Sequence, residues 1–170
     1  MAPRPMAGLM SSTLPTSADQ ERWMERALAV AAEAAAAGEV PVGCVIVKDG
    51  VELASGFNER EKDSDPTAHA EVVALRRAAA ILGSWRLDDC HLYVTLEPCA
   101  MCAGAIVLAR IPAVVYGAAD PKAGACESLY RLLDDRRLNH RPAVFAGVHA
   151  DRCGAILTKF FAHQRSLGKK

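Results

Sequence analysis

Residues 91–102 read HLYVTLEPCAMC, and this stretch decides how the rest of the chain is interpreted. Residues 91–96 form an apolar and β-branched run that is too short for a helix, so they are predicted to be a buried strand. Pro98 is tolerated in the first turn of a helix, and a helix is therefore predicted to begin there. Cys99 and Cys102 would then lie in its first turn on one face, where both sulfurs can reach one point.

The same alternation of strand and helix recurs outward from this stretch. Helices are predicted at 19–37, 65–82, 98–109 and 151–164, with a short one near 128–133, and strands at 42–47, 91–96, 113–118 and 143–148. Asp49-Gly50 is typical of a hairpin turn, which leads into a return strand through Phe57. A charged loop is predicted at 58–65. This order predicts an α/β domain with about five strands, helices on both faces of the sheet, and parallel pairing of the later strands.

The length of 170 residues is typical of one domain. Residues 1–18, rich in Pro, Ser, Thr and Ala, are predicted to be a disordered tail, residues 19–165 the domain, and residues 166–170 a basic tail. No apolar run is long enough for a membrane span. The sequence contains no Gly-rich phosphate loop, so no nucleotide cofactor is predicted. Without a secretory signal the six cysteines are expected to be reduced thiols, and the protein is expected to be cytoplasmic.

Charge is unevenly distributed although the formal net charge is zero. Residues 119–170 carry 10 Lys and Arg against 5 Asp and Glu, whereas residues 1–118 carry 10 against 15. Such asymmetry is consistent with a polyanionic partner at the C-terminal third, and also with two ordinary solvated surfaces.

The spacing of Cys99 and Cys102 alone is consistent with a redox pair, a structural zinc site or part of a catalytic zinc site. A structural site would need a fourth ligand in addition to His69, such as His140 or His149. His-x-Glu followed by Pro-Cys-x-x-Cys is a signature of zinc nucleobase deaminases, and Glu71 completes it. Composition alone yields this ordered combination on the order of 0.001–0.01 times in such a chain, so the combined signal is strong.

Each residue of the combination has a chemical role in that hypothesis. His69, Cys99 and Cys102 are three zinc ligands, which leaves the fourth tetrahedral position for water. Zinc makes that water far more acidic than bulk water. Glu71 is two residues from a ligand without being one, so its carboxylate can take a proton from the water and pass it to the substrate. The predicted chemistry is hydrolytic loss of ammonia from an amino-substituted ring carbon.

On these residues the sequence resembles the bacterial tRNA-specific adenosine deaminases, which convert the wobble adenosine of an anticodon to inosine. The resemblance runs from about Glu21 to Phe161 and rests on segments 39–43, 56–58, 65–71, 95–104, 120–122 and 139–141. The zinc motifs are shared with cytidine and guanine deaminases, whereas Asp-Pro-Lys at 120–122 and Asn-His-Arg at 139–141 point to the tRNA enzymes. The resemblance implies a three-layer α/β/α cytidine-deaminase-like fold with a central mixed sheet, one Zn²⁺ per subunit, the tRNA anticodon stem-loop as partner, and a homodimer.

The resemblance also implies roles for residues outside the zinc motifs. Asn58 would hydrogen-bond the target base, Val42 would pack on it, and the backbone of Ala70 would contact it. The path and rim for the anticodon loop would be formed by Asp120, Pro121, Lys122, His140, Arg141, Phe160 and Phe161. One departure is Glu127, where a small residue is expected, since an acid there could change the loop or weaken a phosphate contact.

Two other functions stay open at this point. One is deamination of a free nucleobase or nucleoside such as guanine, cytosine or cytidine, and the other is a non-catalytic, zinc-stabilised RNA-binding module. The outer positions also have simpler interpretations, because Lys122 and Arg141 are consistent with plain solvated charges. Phe160 and Phe161 are consistent with core or dimer contacts.

Overall fold

The computed structural model describes residues 13–169, so most of the predicted N-terminal tail and Lys170 lie outside the described residues. The first helix begins at Ser17, inside the segment 1–18 that we predicted to be disordered. Its start is closed by a capping box, in which the Thr16 hydroxyl accepts from the Asp19 N–H and the Asp19 carboxylate accepts from the Thr16 N–H. This box satisfies backbone donors that a helix N-terminus otherwise leaves free.

Five helices and five strands make up the described fold. The helices are α1 Ser17–Ala36, α2 Arg60–Asp63, α3 Ala70–Leu82, α4 Ala100–Ala109 and α5 Ala150–Ser166, and the strands are β1 Gly43–Lys48, β2 Val51–Phe57, β3 Cys90–Leu96, β4 Ala113–Ala118 and β5 Ala143–Phe145. The sheet order is β2-β1-β3-β4-β5. β1 is antiparallel to both β2 and β3, whereas β3, β4 and β5 are parallel. The predicted mixed five-stranded α/β fold is confirmed.

Both faces of the sheet are buried, which explains why its central strands are continuous apolar runs. Alternate residues of a strand point to opposite faces. In β1, Cys44 and Ile46 belong to the apolar cluster that includes residues of α3 and α4. Val45 and Val47 belong to the second cluster, which includes the buried face of α1. The sheet is thus the middle of three layers.

Two helices begin later than predicted. The segment Asp65-Pro66 does not open α3, because the Asp65 carboxylate accepts from the Thr67 N–H at 2.8 Å and closes a turn instead. His69 then precedes α3 in extended backbone, as the N-cap residue. Cys99 likewise is the N-cap of α4, rather than part of its first turn. The later starts leave one metal-ligand candidate immediately before each helix.

The remaining differences from the prediction are local. The charged loop at 58–65 contains the single turn of α2, and the short helix expected near 128–133 is a 3₁₀ turn at Leu132–Asp134. β5 ends at Phe145 rather than at residue 148. Within residues 13–169, no helix has the length and apolarity needed to cross a bilayer.

Candidate active site and metal centre

The N-terminal ends of α3 and α4 bring the three predicted metal ligands together. His69 comes from the cap of α3, Cys99 from the cap of α4, and Cys102 from the first turn of α4. The His69 Nδ1 atom lies 3.6 Å from each of the two sulfurs. All three ligand atoms lie within 4.8 Å of one another.

These distances fit zinc. A tetrahedral zinc ion with ordinary Zn–S and Zn–N bond lengths places its nitrogen and sulfur ligands about 3.6 Å apart. Among residues 13–169, this is the one group of His, Cys, Asp and Glu side chains close enough to hold a metal ion. His140 instead donates to the Ile111 carbonyl at 2.6 Å, and His149 lies 3.3 Å from Glu25, so neither supplies a fourth ligand. The donor set leaves the fourth position for water.

The pKa values of the two thiols are shifted in opposite directions. The hydrogen bond from Cys102, reinforced by His69, lowers the pKa of the Cys99 thiol to about 3. The hydrogen bond to Cys99 and burial together raise the pKa of Cys102 far above its ordinary value. A metal ion deprotonates the thiols that coordinate it, so both sulfurs are expected to be thiolates in the zinc-loaded protein.

Glu71 is placed beside the ligands without being one of them. It lies in the first turn of α3 and is only 4% exposed. Burial raises the pKa of its carboxyl above the ordinary value, because the charged form is poorly solvated there. A carboxyl group with a raised pKa is suited to taking up and releasing a proton near neutral pH.

These groups open into a cavity of about 160 Å³. Its walls include the sequence-predicted residues Val42, Asn58, His69, Ala70, Glu71, Cys99 and Asp120. Asn58 is buried, and its Oδ1 accepts from the Arg60 N–H at 3.4 Å. The sequence interpretation missed five further wall residues: Val40, Arg60, Leu96, Glu97 and Ala123.

Glu97 is the most informative of the missed residues. It is 2% exposed and accepts hydrogen bonds from the segment 120–128. Burial by itself would raise the pKa of this carboxyl, but the hydrogen bonds from Ser128 and from the Asp120 and Glu127 N–H groups outweigh it and lower the pKa to about 2. Its sequence signal was only its position before Pro-Cys, because its partners lie far along the chain.

The remaining predicted RNA-facing residues do not line the cavity. Pro121 and Lys122 are exposed and directly follow Asp120. His140 binds the Ile111 carbonyl just before β4 begins, whereas the cavity lies where β4 has ended, so the structure does not bring His140 to the pocket. Its neighbour Arg141 lies 3.4 Å from Asp134.

Phe160 and Phe161 stack edge to face on α5 with ring centroids 5.5 Å apart. Phe160 is partly buried, and Phe161 is 43% exposed. Their roles in RNA binding stay predictions, as do those of the other rim residues.

The departure at Glu127 has a structural explanation. Its carboxylate accepts from the Tyr116 hydroxyl at 2.9 Å, and its backbone N–H donates to Glu97 at 2.8 Å. Tyr116 is a buried residue of β4. The Glu127 side chain therefore connects the loop that contains it to β4.

Comparison with known proteins assigns the chain to a family. Residues 17–118 match the family described as the cytidine and deoxycytidylate deaminase zinc-binding region. A tRNA-specific adenosine deaminase of Streptococcus pyogenes is 47% identical over 151 residues, which are 89% of this chain and 95% of the relative. The chain belongs to the tRNA-specific adenosine deaminase family.

Solved structures agree with membership in the tRNA-specific adenosine deaminase family. One structure, from work on A-to-I editing by tRNA:A34 deaminases at the wobble position, is 45% identical, with a TM-score of 0.77 over 80% of this chain and 99% of its own. A guanine deaminase from Bacillus subtilis is 37% identical, with a TM-score of 0.58 over 85% of this chain and 93% of its own. Both resemble this chain in fold, and they differ in the substrate that their names give.

Proposed function

We propose that this protein is a zinc-dependent hydrolase that converts adenosine to inosine at the wobble position of tRNA anticodons. The observation that carries the proposal is the placement of one imidazole and two thiols at zinc-binding distances, with a buried carboxyl beside them in a base-sized cavity. The adenosine substrate follows from the 47% identity to a tRNA-specific adenosine deaminase.

The residues of the cavity have different roles in the proposed reaction. When bound, zinc supplies an acidified water as the nucleophile for C6 of the base. Glu71 would accept one proton from the water and pass it to the ring nitrogen. It would then accept the second proton of the attacking oxygen and pass it to the departing amino group, so that water and adenosine yield inosine and ammonia. Asn58 and the Ala70 backbone hold the base by hydrogen bonds, and Val42 packs on its face. Burial of Glu71 keeps bulk water from competing for the proton.

Recognition of the RNA would take place around the mouth of the cavity. A target base must be unstacked to enter, and the bases of an anticodon loop are suited to being splayed out in this way. The segment Asp120-Pro121-Lys122 would line the path of the loop, and Lys122 would contact phosphate. Arg141, Phe160 and Phe161 would extend the contact surface. Binding through Lys and Arg is expected to weaken as salt rises. A cytoplasmic location is part of the same proposal.

The second candidate is deamination of a free base, which the likeness to guanine deaminase favours. A substrate panel separates the two: zinc-loaded protein is incubated with tRNA, guanine, cytosine and cytidine. Ammonia release is measured on all four, and the tRNA is sequenced for A-to-G changes. We expect A-to-G reads confined to the wobble position. Unchanged tRNA together with rapid turnover of a free base or nucleoside would overturn the proposed substrate.

The surface of α4 supports the proposed homodimer. Met101, Gly104, Ala105 and Leu108 form an apolar stripe at helical spacing, and Leu108 is 69% exposed. A contiguous exposed apolar stripe marks an interaction surface. Light scattering after size exclusion is expected to give a dimer for the native protein and a monomer for Leu108→Glu. Val51→Glu, at a 66% exposed position on β2, is the matched control and should stay dimeric. A monomeric native protein, or a dimeric Leu108→Glu variant, would contradict this interface.

A further inference from the structure

We propose that Glu97 is a positioning residue that holds the segment 120–128, which forms one wall of the cavity, against the zinc ligand Cys99. The inference rests on the proposed function, because this segment carries the residues expected to meet the anticodon loop. Its structural half can be tested without RNA.

The Glu97 carboxylate accepts hydrogen bonds from both ends of the segment 120–128. Glu97 Oε1 accepts from the N–H groups of Cys126, Glu127 and Ser128 at 3.1, 2.8 and 2.9 Å. Oε2 accepts from the Asp120 N–H at 2.9 Å and from the Ser128 hydroxyl. These contacts bring five donors to one acceptor-only group, an arrangement that an ionised carboxylate satisfies and a neutral side chain does not.

Backbone contacts bind the same segment to the start of α4. The Ala125 N–H donates to the Pro98 carbonyl at 2.8 Å, and Gly124 pairs with Cys99 in an isolated antiparallel bridge. A Cβ atom at Gly124 would overlap the Glu97 carboxylate. The segment therefore approaches the metal-ligand region as closely as a residue without a side chain allows.

The anchoring continues toward the mouth of the cavity. Asp120, whose N–H is held by Glu97, accepts in turn from the N–H groups of Lys122 and Ala123 at 3.0 and 3.3 Å. Asp120 and Ala123 both line the cavity. Because the oxygens of Glu97 are occupied by these donors, its role is to set the shape of the wall, while proton transfer falls to Glu71.

The variant Glu97→Gln isolates this role at constant size. Its single carbonyl oxygen would take the Oε1 position and keep three backbone donors, while the amide nitrogen would face the Asp120 N–H. The Ser128 hydroxyl can rotate to accept from that nitrogen, but the Asp120 N–H has no such option. Glu97→Gln therefore loses the hydrogen bond to the Asp120 N–H, and Asp120 is the anchored residue that lines the cavity.

The first measurement is limited trypsin cleavage after Lys122 in the zinc-loaded protein. Cleavage in a native protein follows local opening, so we expect it to accelerate tenfold or more in Glu97→Gln. Ser128→Ala, which loses one donor and leaves the carboxylate in place, should accelerate it about fivefold. Glu33→Gln, at an exposed position on α1, is the control and should be cleaved at the native rate.

The second measurement is deamination of an anticodon stem-loop at equal zinc content. We expect Glu97→Gln to raise KM about tenfold while kcat changes less than threefold, since the wall is displaced and the proton path is intact. Native cleavage rates in both Glu97→Gln and Ser128→Ala would overturn the inference. So would a fall in kcat with unchanged KM. If the native protein leaves the stem-loop unchanged, the proposed function fails, and the cleavage rates still decide the anchoring role.

Discussion

His69 and Glu71 are two positions apart, yet the start of α3 between them gives them different surroundings. His69 is in extended backbone before the helix, where its ring reaches both sulfurs. Glu71 lies inside the first turn, buried and directed into the same cavity. One residue can therefore bind the metal while the other stays free to move protons. The His-x-Glu spacing thus has a physical basis in the position of the helix start.

Asn58 provides a prediction at the residue scale. Its amide is buried in the cavity wall, with Oδ1 already held by the Arg60 N–H. Asn58→Ala should lower kcat/KM for the anticodon stem-loop about tenfold, because a hydrogen bond to the base is lost in a buried site. Zinc content should be unchanged. Steady-state kinetics together with metal analysis check this, and an unchanged kcat/KM would exclude Asn58 from base recognition.

At the scale of elements, the metal ligands could be predicted from the sequence, whereas the hydrogen bonds that hold the neighbouring cavity wall could not. The two motifs identified His69, Glu71, Cys99 and Cys102 because their spacing is local to two helix starts. Glu97 could not be recognised in the same way. Its hydrogen-bond partners lie 23 to 31 positions downstream, and four of the five donors are backbone N–H groups that any residue carries.

Element boundaries were missed where side chains compete with the helix. Asp65 can cap a helix, and Pro66 can open one, but Asp65 forms a turn with Thr67 and delays α3 to Ala70. Asp side chains commonly make such local bonds, so the sequence is consistent with either outcome. The bounds of the central strands were predicted closely, because both faces of the sheet are buried and the strands are therefore continuous apolar runs.

Packing of α1 on β1 gives a prediction at the element scale. A Cβ at Gly43 would lie much closer than van der Waals contact to the Ala27 carbonyl oxygen and the Ala31 backbone nitrogen, which cannot move without shifting the helix. Gly43→Ala should therefore lower the free energy of unfolding by about 3 kcal/mol. Gly154→Ala in α5, where a Cβ meets nothing within 4 Å, should raise it by about 0.5–1 kcal/mol. Urea unfolding of zinc-loaded protein checks the pair, and equal midpoints would contradict the close approach.

For the whole molecule, we expect the fold to persist without metal, because the metal site lies at the edge of the apolar core. The sheet is buried between two apolar clusters, and the ligands sit at two helix ends at the border of one of them. Bound zinc would therefore connect α3 to α4 and would not be needed to organise the fold. In this respect we expect the protein to differ from small domains that unfold when their metal is removed.

Removal of zinc tests whether the fold is independent of the metal. Chelation should abolish deamination and lower the Tm, because the ion binds the folded state and stabilises it by mass action. Far-ultraviolet circular dichroism at 25 °C should keep its native shape, and zinc addition should restore both Tm and activity. Collapse of the spectrum on chelation would show that zinc organises the whole fold.

In the proposed mechanism, Glu71 turns a zinc site into a deaminase. The most direct measurement follows zinc stoichiometry and inosine formation in the same preparations of native protein and Glu71→Gln, with a wobble-adenosine stem-loop as substrate. We expect one zinc per subunit in both, and a fall in the inosine-forming rate of about 10²–10⁴-fold in the variant. A zinc-loaded Glu71→Gln variant that forms inosine at the native rate would contradict the account.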